Sequence, residues 1–190
     1  GERYDGLGVK NAVYNVNEII AKNLVDHELD LKFIDSLMCE LDGTENKSRL
    51  GANATLPVSI ACARLISLVQ NKPLYSILGN KKIIPVPFMN LINGGKHADN
   101  KVTFQEYLIT PRLKNFNESL RIGTEIYHHL GKLIKDKHNN VSLGDEGGYA
   151  PKLKDCYSGL ELLSEAIEDL GYNRYVKLGL DCASNSFYVK

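Results

Sequence analysis

The 190-residue sequence has no excess of charge of either sign, because 23 Lys and Arg residues balance 23 Asp and Glu residues. Proteins that bind nucleic acid or a membrane surface usually carry a basic excess, so this balance argues against both classes. Hydrophobic residues make up 43% of the chain and charged residues 24%. These are ordinary globular values, and they argue against a largely disordered chain.

Long apolar runs, targeting patterns and paired cysteines are also missing. No run of about 18 apolar residues occurs, so the sequence predicts that no helix spans a membrane. The first residues lack the basic-then-apolar pattern of a signal peptide. The four cysteines are scattered, without a Cys-x-x-Cys pair. Cys39 and Cys62 fall in apolar helical patterns, which predict buried thiols and a reducing, cytoplasmic location.

The sequence begins without an initiator methionine, and residues 186–190 form an extended pattern with no turn or polar tail after it. We therefore expect an internal piece of a longer protein. The length leaves room for one ordinary domain, or for one small domain and part of another.

Helical patterns dominate residues 1–82. The apolar spacing predicts four helices, over 9–25, 30–41, 57–71 and 74–78. Asp30 is the expected N-cap of the second helix, and Pro57 the expected first residue of the third. Gly, Asn, Ser and Thr between 42 and 56 predict a loop there. A charged, proline-punctuated stretch then marks a domain boundary near residue 82.

Residues 83–190 have a different pattern, which predicts an α/β fold. Strand, strand, helix, loop, helix and strand are expected in turn, at 88–92, 102–110, 117–137, 144–148, 156–170 and 175–181. This order is typical of the opening of an α/β layer with carboxylates at strand ends. A (β/α)₈ barrel needs about 250 residues, so a barrel that starts near residue 83 cannot close within the chain.

Two polar clusters lie around the first two predicted strands. Residues 93–100 contain two glycines and His97, which could meet an anionic or hydroxylated substrate; the alternative is a β-turn with a surface histidine. Gln105 and Glu106 interrupt an apolar strand. A carboxylate there is costly unless it is paired or near a metal, and a solvent-facing edge strand is the alternative.

Two further clusters are acidic. Residues 144–148 place Asp145 and Glu146 among glycines, where burial or the second acid would raise the pKa of one carboxyl and let it act as a general acid. A solvated acidic turn is the alternative. Asp181 ends a predicted strand, and α/β enzymes hold ligands and metals at the C-terminal ends of parallel strands. The alternative for Asp181 is an N-cap of the next element.

Taken together and in order, several stretches resemble the enolase (phosphopyruvate hydratase) family. The matching segments are 41–48, 50–54, 85–87, 93–95, 97–98, 105–106, 144–151 and 180–184. The forms at 96–100 and 148–151 resemble bacterial-type members. The resemblance implies the helical part of an α+β N-terminal domain over 1–82. It implies the first strands and helices of an incomplete enolase-type (β/α)₈ barrel over 83–190.

The resemblance also implies an activity. Enolases interconvert 2-phosphoglycerate and phosphoenolpyruvate in glycolysis and gluconeogenesis. A Lys base removes the C2 proton, Mg²⁺ ions stabilise the resulting ene-diolate, and a protonated Glu helps the C3 hydroxyl leave as water.

Matched by motif position, each candidate residue acquires an implied role. Glu146 would be the general acid, and Glu106 would support it and contact the substrate. Gln105 would lie in the substrate site, and His97 would close over the substrate from a mobile loop. Asp181 would be the first of three carboxylate ligands for Mg²⁺.

The Lys base, the other two carboxylate ligands and the phosphate clamp match no residue here, so the isolated chain is expected to be inactive. The resemblance implies a small-molecule substrate, no nucleic-acid or membrane partner, a cytoplasmic location and a homodimeric or octameric parent. Some family members are also found at cell surfaces. Two alternatives stay open: another enolase-superfamily dehydratase, against which residues 144–151 speak, and a non-catalytic binding module.

Overall fold

A computed structural model describes residues 3–139 and 141–189. The chain divides into two compact units, Gly1–Lys82 and Ile83–Lys190. The first is helical, and the second combines a three-stranded sheet with helices, so the predicted α/β fold class is confirmed. The extended pattern expected at the end of the chain runs to Lys190, which lies outside the described residues.

The first unit consists of helices around a small apolar core. Its helices are α1 (Lys10–Tyr14), α2 (Ala21–Leu24), α3 (Leu31–Asp42), α4 (Ala52–Val69) and α5 (Leu74–Leu78). A π-helical turn, Asn15–Ile20, joins α1 to α2 and makes one helical segment of them, as the apolar spacing predicts. The buried core residues are Ala12, Ile20, Ile34, Met38, Leu50 and Ala54.

The start of α3 confirms the predicted cap. Oδ1 of Asp30 accepts the backbone N–H of Phe33 at 2.6 Å, which satisfies one of the unpaired donors of the first turn. At the other end Gly43 has φ +68°, a left-handed conformation that glycine adopts readily, and its N–H bonds the Cys39 carbonyl. Cap and glycine therefore fix both ends of the helix.

The predicted start of α4 is wrong. Gly51 has φ +87°, and its carbonyl already accepts the N–H groups of Ala54 and Thr55, so the helix begins at Ala52. Pro57 lies inside the helix rather than at its first position. Its missing N–H removes one bond of the helical ladder, and the surrounding turns tolerate that loss.

Helix α4 also qualifies the expectation that no helix could span a membrane. By length and composition it is apolar enough to do so, with a mean hydropathy of 1.5 over 18 residues. Apolar helices of soluble proteins meet the same test. The buried residues of α4 are Ala54, Ala63 and Ile66.

The cysteines differ in part from the prediction. All four are free thiols, but Cys39 is exposed and Cys62 is only half-buried. Ile34 and Met38 are four residues apart and bury one face of α3. Cys39, the residue after Met38, is turned by about 100° around the helix from that face and lies in solvent.

The second unit is built on a small antiparallel sheet. Its elements are β1 (Met89–Asn93), β2 (Glu106–Pro111), α6 (Phe116–His138), α7 (Cys156–Asp169) and β3 (Val176–Asp181). The strand order is β1-β2-β3, and β2 is antiparallel to both neighbours. Residues 102–105 were expected to be part of the second strand. They instead bond back to the glycine turn after β1, where Gly94 and Gly95 donate to the carbonyls of Gln105 and Val102.

Helices α6 and α7 cover one face of this sheet. Asn115 and Asp155 cap their first turns through side-chain oxygens. The fully buried members of the core include Tyr107, Ile109, Ile126, Leu130 and Leu163. Because β1 and β3 both oppose β2, their C-terminal ends meet its N-terminal end at one edge of the sheet.

Candidate active site

Glu106 lies at the centre of that edge. The register pairs it with Asn93 on one side and with Asp181 on the other. Its side chain is 21% exposed. Burial raises the pKa of the Glu106 carboxyl, the negative charges of Glu146 and Asp181 raise it further, and His97 opposes the shift. Glu106 therefore stays protonated to a higher pH than an ordinary glutamate.

The strand-end interpretation of Asp181 needs one correction. The sequence prediction places Asp181 at the end of a parallel strand, but β3 is antiparallel to its neighbour β2. The carboxylate still lies at the C-terminal end of its strand. What gathers the acids is the pairing of that end with the start of β2, because facing residues of an antiparallel pair have Cβ atoms about 5 Å apart.

His97 reaches two carboxylates from the turn after β1. Its Nδ1 lies 3.2 Å from Oε2 of Glu146 and 4.0 Å from Oε1 of Glu106. The turn needs its glycines, since a Cβ on Gly94 would collide with the Phe104 carbonyl oxygen. The histidine is thus a member of an acidic cluster, in contrast to the surface-turn alternative.

The loop that carries Glu146 is held at three points. Asn90 on β1 donates from Nδ2 to Oε2 of Glu146 at 3.0 Å. The Asp145 N–H donates to the His97 carbonyl at 3.2 Å. The hydroxyl of Tyr127 on α6 donates to the Gly147 carbonyl at 2.9 Å. These bonds fix the loop beside β1, so Glu146 faces Glu106 and His97.

Asn90 and Tyr127 are site residues that sequence reasoning missed. Asn90 sits in an apolar strand, and its contact with Glu146 spans 56 positions. Tyr127 belongs to an apolar helix face, where its ring stacks on Tyr149 with centroids 4.5 Å apart. A polar Asn in a buried strand is a weak sequence signal that Asn90 belongs to a site. Nothing in the sequence identifies Tyr127 as a residue whose hydroxyl binds the loop.

Gln105 and Asp181 meet at the neighbouring part of the edge. The Gln105 N–H donates to the Asp181 carbonyl at 3.2 Å. Oδ1 of Asp181 accepts the N–H of Ala183, which adopts φ +44° as the chain turns away. An open polar cavity of about 600 Å³ lies here, lined by Lys96, Gln105, Asp181, Cys182, Ala183, Ser184, Asn185 and Ser186.

Two groups of oxygen and nitrogen atoms could hold a cation. Asp181 offers an exposed carboxylate in a polar cavity beside the Gln105 amide, and this donor set fits Mg²⁺, which takes one or two carboxylates and several waters. The ligand atoms of His97, Glu106 and Glu146 lie within 4.8 Å of one another. An imidazole nitrogen suits transition metals better than Mg²⁺, so Asp181 is the better magnesium ligand.

The structure thus brings all five predicted site residues to one edge of the sheet. His97, Glu106 and Glu146 form one cluster, and Gln105 and Asp181 lie beside it. The raised pKa expected in the 144–148 loop is found at Glu106. The assigned roles of the five residues stay predictions.

Carboxylates and an imidazole at the end of a sheet, with a polar cavity beside them, are an arrangement that many α/β enzymes share. Comparison with protein families makes this specific. Residues 1–78 match the family model for the enolase N-terminal domain, and residues 81–190 match that for the enolase C-terminal TIM barrel domain. The chain therefore belongs to the enolase family, a family of lyase-type enzymes, and its second unit is part of an enolase barrel.

Proposed function

We propose that this chain carries part of the active site of a phosphopyruvate hydratase, which reversibly dehydrates 2-phosphoglycerate to phosphoenolpyruvate. The convergence of His97, Glu106 and Glu146 from three segments carries the proposal. A dehydratase needs an acid beside the departing hydroxyl, and burial and neighbouring acids raise the pKa of a carboxyl among them, as they do for Glu106. The match to both enolase domains supports the same reaction.

Glu146 is the proposed general acid. Asn90 donates to Oε2 of Glu146, which leaves Oε1 as the oxygen that would hold the transferable proton. Tyr127 and the Asp145 N–H hold the loop backbone on either side. Together these bonds keep the carboxyl oriented, so that little reorganisation is needed when the proton moves.

Glu106 supports the acid through its own protonation. With its raised pKa, Glu106 gives up its proton only at a higher pH than usual, so it can hold a proton beside Glu146. His97, 3.2 Å from Glu146, is placed to contact an anionic substrate when it is protonated. Gln105 would present its amide to the substrate in the polar cavity.

Asp181 is the proposed ligand for Mg²⁺. When bound, the ion would supply positive charge against the carboxylate of the substrate. Asp181 would orient this charge from the end of β3, and its Oδ1 is held by the Ala183 N–H. The resemblance assigns the Lys base and two further ligands to residues that this chain does not carry, so the chain alone should be inactive.

The setting of the reaction is part of the proposal. Balanced charge argues against nucleic-acid and membrane partners. The family resemblance implies a small anionic substrate and an enzyme of the cytoplasm. Free thiols at all four cysteines fit a reducing compartment. The family resemblance supports a homodimeric or octameric parent.

The first test is an assay for the dehydration of 2-phosphoglycerate, followed by the absorbance of phosphoenolpyruvate. A full-length enzyme carrying this sequence should be active and should depend on Mg²⁺, and the 190-residue chain should show no turnover. An inactive full-length enzyme would contradict the proposed reaction. Turnover by the chain alone would contradict the assignment of the base to residues outside it.

The second test addresses the metal ligand in the full-length enzyme. Asp181→Asn should weaken Mg²⁺ binding about ten-fold or more, because it removes the charge of a ligating carboxylate. Glu161→Gln, an exposed acid on α7, is the matched control and should leave the Mg²⁺ titration unchanged. An unchanged titration for Asp181→Asn would contradict its role.

A further inference from the structure

A cavity of about 640 Å³ lies in the second unit, apart from the polar cavity at Asp181. Two segments form it, one directly after the turn that carries His97 and one after the loop that carries Glu146. A volume of this size is typical of a small-molecule site. The lining residues are Asp99, Asn100, Lys101, Lys152, Leu153 and Lys154, none of which lines the cavity at Asp181.

The backbone on both sides of this cavity is anchored. Nδ2 of Asn100 donates to the Pro151 carbonyl at 3.4 Å and to the carbonyl of the last residue of β1 at 3.0 Å, which ties one wall to the other. Residues 151–154 alternate between buried and exposed, and the exposed members are Lys152 and Lys154. Because alternate residues of an extended segment point to the same side, both lysines extend toward the cavity from an anchored backbone.

Positive charge dominates the lining. Lys101, Lys152 and Lys154 stand against the single carboxylate of Asp99. Among the residues that the structure describes, none of these three lysines forms an ion pair. The next acid along the chain, Asp155, caps α7 by accepting two backbone N–H groups. Like charges around one cavity repel one another, and a bound anion would turn that repulsion into attraction.

The lining favours a phosphate group over an apolar or aromatic ligand. Among the described lining residues one side chain is apolar, that of Leu153, which is 5% exposed, and none offers an aromatic ring for stacking. A lysine ammonium group binds phosphate as a compact point charge with three donors. Since the lysines come from two segments, they can contact two phosphoryl groups of one ligand.

We propose that this cavity binds a small anion with a diphosphate group, held by Lys101, Lys152 and Lys154. Lys101 contacts the anion from the segment after the His97 turn, and the other two lysines contact it from residues 151–154. The bound anion therefore adds to the link that Asn100 makes between these segments. The site does not depend on the dehydratase reaction, because none of its residues is a proposed catalytic or metal-binding residue.

Isothermal titration calorimetry with inorganic pyrophosphate tests this site. The chain is titrated at low salt and without Mg²⁺, so that no metal complexes the anion or recruits it to Asp181. The double variant Lys152→Gln, Lys154→Gln should weaken binding about ten-fold or more, because a charge-assisted hydrogen bond contributes on that scale. Absence of binding by the wild-type chain, or equal binding by this variant, would overturn the proposal.

The double variant Lys81→Gln, Lys82→Gln is the matched control, since it removes the same charge from two exposed lysines of the first unit. Its Kd for pyrophosphate should equal that of wild type. Equal weakening by both double variants would show that net charge, and not the cavity, attracts the anion. Lys101→Gln should weaken binding several-fold, and wild-type affinity in that variant would contradict a site formed by both segments.

Two further measurements test the position and the class of the ligand. In ¹H–¹⁵N spectra the largest changes caused by pyrophosphate should fall on residues 99–101 and 152–154. Largest changes at 181–186 would place the anion in the other cavity and overturn the proposal. Orthophosphate should bind about ten-fold more weakly than pyrophosphate, because it contacts fewer of the lysines. Equal affinity for the two anions would contradict the diphosphate assignment.

Discussion

The two units of the chain differ in how they bury apolar surface. In the second unit, strands β1 and β2 and both long helices contribute to one large core, whose central members are fully buried. In the first unit the core is smaller, and its buried members are Ala12, Ile20, Ile34, Met38, Leu50 and Ala54. Both units leave some large apolar side chains exposed, such as Leu68 in the first and Phe88 in the second. Since buried apolar area is the main source of stability, the site lies in the unit with the firmer support.

Among the predicted changes, truncation of a buried side chain in the larger core should lower the free energy of unfolding most. Ile126, on α6, is fully buried, whereas Leu68, on α4, is 78% exposed. Ile126→Ala should lower the free energy of unfolding by about 2–5 kcal/mol, because it removes buried methyl groups and leaves a cavity. Leu68→Ala should change it by less than about 0.5 kcal/mol. Urea denaturation measures both, and similar losses would contradict the difference between the units.

The first unit relies on a buried carboxylate, and its removal should have the next largest effect. Oδ2 of Asp42 accepts the Leu50 N–H at 2.6 Å, and Oδ1 accepts the Thr44 N–H at 3.0 Å. Burial opposes ionisation, but these bonds and the Thr44 hydroxyl hold the pKa of Asp42 below its usual value. Asp42→Asn should therefore unfold at a lower urea concentration than wild type at pH 7.

The pH dependence of the stability difference between wild type and Asp42→Asn tests whether the carboxylate charge causes it. Because the pKa of Asp42 is lower in the folded state than in the unfolded state, the carboxylate stabilises the folded state at pH values above the unfolded-state pKa. This stabilisation is lost as the pH falls through the folded-state pKa. The gap between wild type and Asp42→Asn should accordingly shrink in acid. A gap that stayed constant with pH would show that the carboxylate charge is not what stabilises the loop.

Glu106→Gln should have the smallest effect on the free energy of unfolding, and it should raise that free energy rather than lower it. Burial, followed by the charges of Glu146 and Asp181, raises the pKa of Glu106. Because the pKa of Glu106 is higher in the folded state than in the unfolded state, its burial costs no stability at pH values below the unfolded-state pKa. The folded state loses stability as the pH rises through the folded-state pKa. The variant should be more stable than wild type at neutral pH by about 0.5 kcal/mol, and equal to it below the ordinary glutamate pKa. Glu161→Gln, exposed on α7, is the control.

Local signals in the sequence were sufficient for most of the fold. The Asp30 cap and the apolar spacing of α3, α6 and α7 predict helices that the structure contains. Pro57 led to a wrong start for α4, because proline is preferred at the first helical position but is also tolerated inside a helix. Strand direction was also missed, since hydrophobic pattern alone does not tell a parallel neighbour from an antiparallel one.

The site was less accessible to sequence reasoning. Single motifs left His97, Glu106 and Glu146 with structural alternatives, and only their order along the chain, through the family resemblance, indicated a shared site. Asn90 and Tyr127 were missed because their contacts depend on the packing of the 144–148 loop against β1 and α6. Tertiary contacts of this kind carry no local sequence signature.

The role of Glu146 tests the account most directly, because the proposed reaction depends on its proton. In a full-length enzyme carrying this sequence, Glu146→Gln should lower kcat for the dehydration of 2-phosphoglycerate by about 100-fold or more, since general acid catalysis contributes on this scale. Mg²⁺ binding, measured on the same preparation, should remain. Turnover close to that of wild type would contradict the assignment of Glu146 as the general acid.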